Sequence, residues 1–331
     1  MDKIVRLFRI IILLFVLTLG LTVFTLILKY NPGFFERNIA EEKNIPELNL
    51  WHAPDFASVP KDEQGELIRY GQELIARTSA YLGPKGSVMQ ISNGMNCQNC
   101  HLEAGTKPFG NNYGAVSSTY PKFRARSGNM ESIEKRVNDC LERSLNGKPL
   151  DSLSKEMRAI VAYIHWLGKD VPRGAKVAGS GFIEVEWLDR PADPKKGRKL
   201  YLQHCNICHG RNGEGQKLSA DSPGYIYPPL WGDNSFNTAA GLFRISNFAR
   251  YIFANMPNGA TFQNPVLTQE QAWDIAAYVE SMPRPDKKFD GDWPRLETKP
   301  VDHPFGPYSD SFTEQQHKFG PFKEILAASK K

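Results

Sequence analysis

The chain has 331 residues, of which 23% are charged, and a net charge of +5. That length allows two domains of ordinary size. No dense Lys/Arg run interleaved with aromatics marks a nucleic-acid surface, and the mild positive excess suits anionic substrates.

Residues 10–28 are uncharged and mostly apolar. As a helix they would extend about 28 Å, close to the thickness of a bilayer's hydrocarbon core. Lys3, Arg6 and Arg9 precede the run and predict a cytoplasmic N-terminus. A signal peptide is the competing reading. Its apolar stretch would be shorter, and no small-residue cleavage site follows, since the run exits into Lys29-Tyr30-Asn31-Pro32. The expectation is therefore a basic end and transmembrane anchor over 1–29, a proline-punctuated stalk over 30–60, and a soluble part on the periplasmic, extracytoplasmic side of the cell membrane.

A repeat follows, with a helix, a five-residue motif, a long loop region and a closing helix in each unit. In the first unit (61–170), Leu67, Tyr70, Leu74 and Tyr81 give helical spacing over 62–82, and Met157, Ile160, Val161, Ile164 and Leu167 give it over 152–168. A linker is expected over 171–192, with a short strand at 182–187. In the second unit (193–285), a helix over 193–204 leads into the motif. The closing helix starts near Thr268, an N-cap with Glu270 and Gln271 in the first turn, and stops at Pro283. Gly71 and Gly197 on the opening helices face Tyr163 and Tyr278 on the closing ones as candidates for close helix crossings. The tail, 286–331, reads as an irregular wrap with a short helix near 322–328.

The repeated motif is Cys97-Gln98-Asn99-Cys100-His101 and Cys205-Asn206-Ile207-Cys208-His209. C-x-x-C-H is the attachment pattern of haem c, in which two thiols add to the haem vinyls and the histidine ligates iron. A disulfide, a zinc pair or a redox C-x-x-C needs no histidine at the fifth place, let alone twice. The prediction is a mainly α protein with two tandem class I cytochrome c-like domains behind a transmembrane helix. It would carry two covalent haems c, attached through Cys97, Cys100, Cys205 and Cys208, with His101 and His209 as proximal ligands.

The sixth ligands must come from elsewhere. In the second unit Met256, in a loop before the closing helix, is favoured over Met282, which sits at the end of that helix. In the first unit spacing leaves Met130 and Cys140 open. Met95 lies too close to the motif, and Met157 and His165 fall on the closing helix. Cys140 is the fifth cysteine and has no partner left within the chain. It reads either as a small buried hydrophobe or, with Arg124, Arg126, Arg136 and Arg143 nearby, as a thiol driven towards thiolate. Arg136 and Ser144 stand four residues to either side of it and share its helical face. The arginines also admit a plainer role as a solvated face or as partners of haem propionates.

These residues resemble the dihaem thiosulfate dehydrogenase / tetrathionate reductase family. The matching stretches are 93–101 with the following 102–112, then 124–128, 136–147, 205–210 and 255–257, and the similarity covers roughly 60–285. The arginine-to-cysteine part is the specific one. The resemblance implies that Cys140 ligates the first haem and holds a thiosulfate sulfur, that Arg126, Arg136 and Ser144 contact substrate, and that His209 and Met256 ligate the second haem. In some members a lysine precedes that methionine and exchanges with it at the iron. Asn255 stands there in this chain, so no exchange is expected. The partners implied are thiosulfate and tetrathionate, an electron-transfer partner (a small cytochrome or a quinol-linked membrane system) and the membrane, with no nucleic acid. Rival readings are a tethered electron carrier without a substrate, another sulfur-oxidising cytochrome, and a dihaem peroxidase.

Overall fold

The computed structural model describes residues 2–30, 49–219, 222 and 224–329. The chain divides into two units, 1–47 and 48–331. The first holds helix α1 (Asp2–Tyr30), whose span Val5–Thr25 has a mean hydropathy of 2.6 and buries none of its residues. By length and composition this helix is able to cross a bilayer. The hydroxyls of Thr18, Thr22 and Thr25 bond back to carbonyls one turn earlier, so they add no unmet polarity to the apolar run.

The second unit contains two helical halves of like design. In the first, α2 (Glu63–Ala76) is capped by Asp62, and α3 (Thr78–Leu82) follows after a break at Arg77. The single helix expected over 62–82 is thus two. Thr78 opens the second helix, and its hydroxyl donates to the Leu74 carbonyl and accepts from the Cys97 amide, which ties the motif to the opening helix. Beyond the motif come the short α4 (Leu102–Gly105) and α5 (Val116–Thr119). A hairpin of β1 (Lys122–Arg124) and β2 (Asn129–Glu131), paired Phe123 to Met130, was not foreseen. Then come α6 (Ile133–Arg143), capped by Ser132, and α7 (Lys155–Leu167), capped by Ser154.

The second half opens with α8 (Pro194–His204), which has Asp193 at its N-cap and proline in its first turn. It continues through α9 (Asn206–His209), the hairpin β3 (Gln216–Lys217) and β4 (Tyr225–Tyr227), and α10 (Ile245–Asn255). It closes with α11 (Gln269–Glu280), which carries the predicted Thr268 cap as a full capping box with Gln271.

In both halves the opening helix crosses the closing one at glycine. A Cβ on Gly71 would lie 2.0 Å from the Ala159 carbonyl oxygen, and one on Gly197 would lie 1.8 Å from that of Asp274. The tyrosines foreseen at these crossings are there: Tyr163 and Tyr278 each place Cβ 2.9 Å from the same points.

Three further expectations change. Residues 182–187 form no strand. Their backbone is met by side chains of α11, with the Glu186 amide bonded to Gln269 and its carbonyl to the Trp273 indole, so no ladder is needed. Of the expected stalk, 31–48 lie outside the described residues. Leu50 makes a parallel bridge to Ala178, and Trp51 packs on Gly114, so the chain has joined the domain by this point. The tail is more built than a surface wrap. Besides α13 (Phe322–Ala328) it forms α12 (Glu314–Phe319), and it buries Asp302, His317, Phe319, Phe322 and Ile325.

Candidate active site

Each motif lines its own cavity. The larger, about 540 Å³, is bounded by Cys97, Cys100 and His101 and by apolar side chains including Ile75, Tyr113, Val116, Ile160 and Ile164. Its wall also contains Cys140, Ser144, Arg124, Arg126 and Arg136. The other, about 320 Å³, is bounded by Cys205, Cys208, His209 and Met256, and Cys100 belongs to both walls.

The two histidines are prepared alike. Nδ1 of His101 lies 2.6 Å from the Asn111 carbonyl, and Nδ1 of His209 lies 2.9 Å from that of Pro228. A carbonyl only accepts, so Nδ1 carries the hydrogen and Nε2 keeps its lone pair for a metal. Burial pushes the His101 imidazole down to about 4 and lowers that of His209, which keeps both neutral at physiological pH. Paired thiols, a neutral imidazole with a free lone pair, apolar walls and nearby cations are the donor set and surroundings a haem c requires. The residues present fit that group in both cavities.

Cys140 and Arg136 come from α6, and Ser144 caps its C-terminus. The helix therefore delivers all three to one wall. Arg136 is pushed above its usual range, first by its electrostatic interaction with the Cys140 side chain and then, against its burial, by Tyr120 and Asp139. Arg126 sits just after β1, in the turn of the hairpin; burial and the neighbouring Arg143 and Arg136 bring it down to about 10, still charged at neutral pH. Arg143, grouped with these by sequence, is spent elsewhere: it forms a two-pronged pair with Asp292 of the tail at 2.6 and 2.7 Å and is buried.

The rivals for ligation lie apart. Met130 is 63% exposed on β2 and lines neither cavity. Met282 packs against the core, Met157 is fully buried in α7, and His165 bonds to Ser117. Met95 is buried and lines the smaller cavity.

Sequence reading missed the contributions of distant segments. Arg244 and Asn247 from the second half, and Trp293, Thr298 and Pro300 from the tail, also line the larger cavity. The two halves meet at the smaller one, where Tyr251 donates to the Asn99 carbonyl at 2.8 Å and Asn255 donates to the Phe109 carbonyl at 3.1 Å. These contacts span about 150 residues of sequence, and no local pattern announces them.

Comparison with known proteins matches residues 87–172 to the SoxA/TsdA cytochrome c domain and residues 192–279 to cbb3-type cytochrome c oxidase subunit III. The halves are therefore tandem cytochrome c domains. The thiosulfate dehydrogenase of Psychrobacter arcticus is 39% identical over 242 residues, covering 73% of this chain and 71% of the relative. That of Allochromatium vinosum is 39% identical over 251 residues, covering 75% and 88%. Among solved structures, the as-isolated thiosulfate dehydrogenase TsdBA from Marichromatium purpuratum superposes with a TM-score of 0.67 at 29% identity, covering 79% of this chain. The match spans 54% of the length of that solved chain.

Proposed function

Because this chain belongs to the thiosulfate dehydrogenase family, we propose that it interconverts thiosulfate and tetrathionate as a dihaem cytochrome c, with the chemistry at the larger cavity. The observation that carries the reading is the placement of Cys140, Arg126, Arg136 and Ser144 in one cavity with the first C-x-x-C-H motif.

Two haems c would be attached through Cys97 and Cys100 and through Cys205 and Cys208. His101 and Cys140 would hold the first iron, and His209 and Met256 the second. When bound, the haems supply two one-electron acceptors, with the thioether-ligated one at the higher potential.

The chain's own residues address a charge problem. Two thiosulfate dianions whose charges lie about 4 Å apart make four unit-charge pairs, an upper figure of roughly 16 kcal/mol at an effective dielectric of 20. Arg126 and Arg136 offset that repulsion by presenting guanidinium forks to the sulfonate oxygens, and Ser144 adds a hydrogen bond. The Cys140 thiolate joins the sulfane sulfur of one thiosulfate with loss of two electrons, giving Cys–S–S–SO₃⁻. The sulfane sulfur of a second thiosulfate attacks the sulfane sulfur of this adduct, so the Cys–S bond breaks, tetrathionate leaves and the thiolate returns. The reverse sequence reduces tetrathionate.

In this reading α1 is an uncleaved anchor with its basic end in the cytoplasm. The soluble part lies on the far side and passes electrons to a small cytochrome or a quinol-linked membrane system. The test is turnover of the haem-loaded soluble part, wild type against Cys140→Ala, with an oxidant dye for thiosulfate and a reduced viologen for tetrathionate. Activity that disappears in the variant while both haems stay attached supports the reading. A fully loaded wild type inactive in both directions would leave a tethered electron carrier.

A further inference from the structure

The tail, which lies beyond both matched domains, places Trp293 in the wall of the larger cavity, which Arg126, Arg136 and Cys140 also line. It is held there firmly. The Trp293 amide donates to the Arg126 carbonyl at 2.6 Å. On one side Asp292 makes the two-pronged pair with Arg143, and on the other Pro294 packs on Gly128. The backbone of Trp293 adopts φ +60°, which a bulky residue accepts only when its surroundings demand it.

The side chain is as informative as the backbone. Its ring lies 5.7 Å from the Arg126 guanidinium carbon and meets the His303 ring edge-on at 5.5 Å. Burial pushes His303 down to about 4, so this neighbour is neutral. The indole N–H is sealed from solvent and has no hydrogen-bond partner. A buried unpaired donor is costly unless a ligand completes it. An indole only donates, so the group it suits is an acceptor without hydrogens of its own. An anionic oxygen drawn in by Arg126 meets that description.

We propose that Trp293 is a further substrate-binding residue, its indole N–H donating to a sulfonate oxygen of the thiosulfate or tetrathionate held by Arg126. This rests on the reading of the larger cavity as the sulfur site. The tail thereby becomes part of the active site, and specificity for a tetrahedral oxyanion is shared between two guanidinium forks and two neutral donors, the Ser144 hydroxyl and the Trp293 indole.

Trp293→Phe in the haem-loaded enzyme keeps a ring beside Arg126 and removes the N–H. The KM for both compounds should rise roughly tenfold to a hundredfold, the range for a lost hydrogen bond to a charged group. Both haem potentials should stay at the wild-type values. An unchanged KM overturns the proposal, and an unchanged KM with a shifted first-haem potential assigns the N–H to the haem's own carboxylates instead. If the variant melts early, the wild type decides. The indole resonance of Trp293 in the fully reduced protein, which cannot turn thiosulfate over, must move when thiosulfate is added, and a fixed resonance overturns the proposal. A wild type that turns over neither compound brings down the underlying reading as well, whereas turnover with an insensitive Trp293→Phe brings down the tryptophan alone.

Discussion

Gly197→Ala should loosen the second domain and disturb the methionine it presents. The added Cβ would fall 1.8 Å from the Asp274 carbonyl oxygen and 2.9 Å from Tyr278 Cβ. Both are parts of a packed helix, so nothing flexible gives way, and α8 and α11 must part by more than about 1 Å. Alanine would gain about 1 kcal/mol of helix propensity over glycine. Against that stand overpacking at about 1–3 kcal/mol or more and strain on Asp274, whose carboxylate holds both Arg190 and the Asp193 amide. A net loss of about 2 kcal/mol lowers the melting point by roughly 4–8 °C for a unit of this size. Because α11 also packs on α10, whose C-cap is Met256, thioether ligation of the second haem should weaken. The assay is thermal melting of the haem-loaded protein with the thioether-to-iron absorption band followed in parallel. A melting point within about 1 °C of wild type, or above it, would refute the close-crossing argument.

Other outcomes follow from the same geometry. Arg136→Met should lower kcat/KM for thiosulfate about a hundredfold or more, since a charge-assisted fork is lost, and Arg136→Lys should fall between, keeping charge without the fork; a change under threefold would remove Arg136 from the site. Burial raises Glu280 to about 8, with Arg284 opposing, and neither carboxylate oxygen has a hydrogen-bond partner. The folded pKa exceeds the unfolded value, so this group's stabilisation is complete below about 4.5 and is lost as pH rises towards 8. Glu280→Gln should therefore gain on wild type between pH 5.5 and 8.5 in denaturant melts, and a difference that does not grow with pH contradicts the burial argument. Asn255 offers the second iron no amine, and its amide nitrogen is bonded to the Phe109 and Tyr251 carbonyls. The thioether band should accordingly be present in the oxidised enzyme and the ligand unchanged on reduction. An altered ligand set between redox states would contradict this.

The sequence was most legible where chemistry or contact is local. The two motifs, the Thr268 cap and the glycine crossings rest on residues close in sequence or on a repeat, and spacing alone reveals them. The grouping of Cys140 with Arg136 and Ser144 was equally readable, because four-residue steps on α6 share a face. What stayed hidden depends on distant partners. Trp293 reaches Arg126 across some 167 residues, and nothing in Asp292-Trp293-Pro294 signals a cavity wall. Arg143 is grouped by sequence with the cations around Cys140, but its partner Asp292 lies in the distant tail. Residues 182–187 alternate like a strand, but their neighbours are helices, so their backbone is satisfied by side chains instead.

The central claim is that Cys140 itself carries the sulfur. The direct measurement is the mass of the Cys140-containing peptide after oxidised, haem-loaded enzyme is mixed with tetrathionate. Attack by the thiolate would release one thiosulfate and leave the other half as Cys140–S–S–SO₃⁻, a redox-neutral exchange that needs no electron donor. The account predicts a mass gain on that peptide matching one bound thiosulfate unit, reversed by added thiosulfate and missing from Cys140→Ala. An enzyme that turns over tetrathionate while Cys140 remains unmodified at every quench time would contradict it.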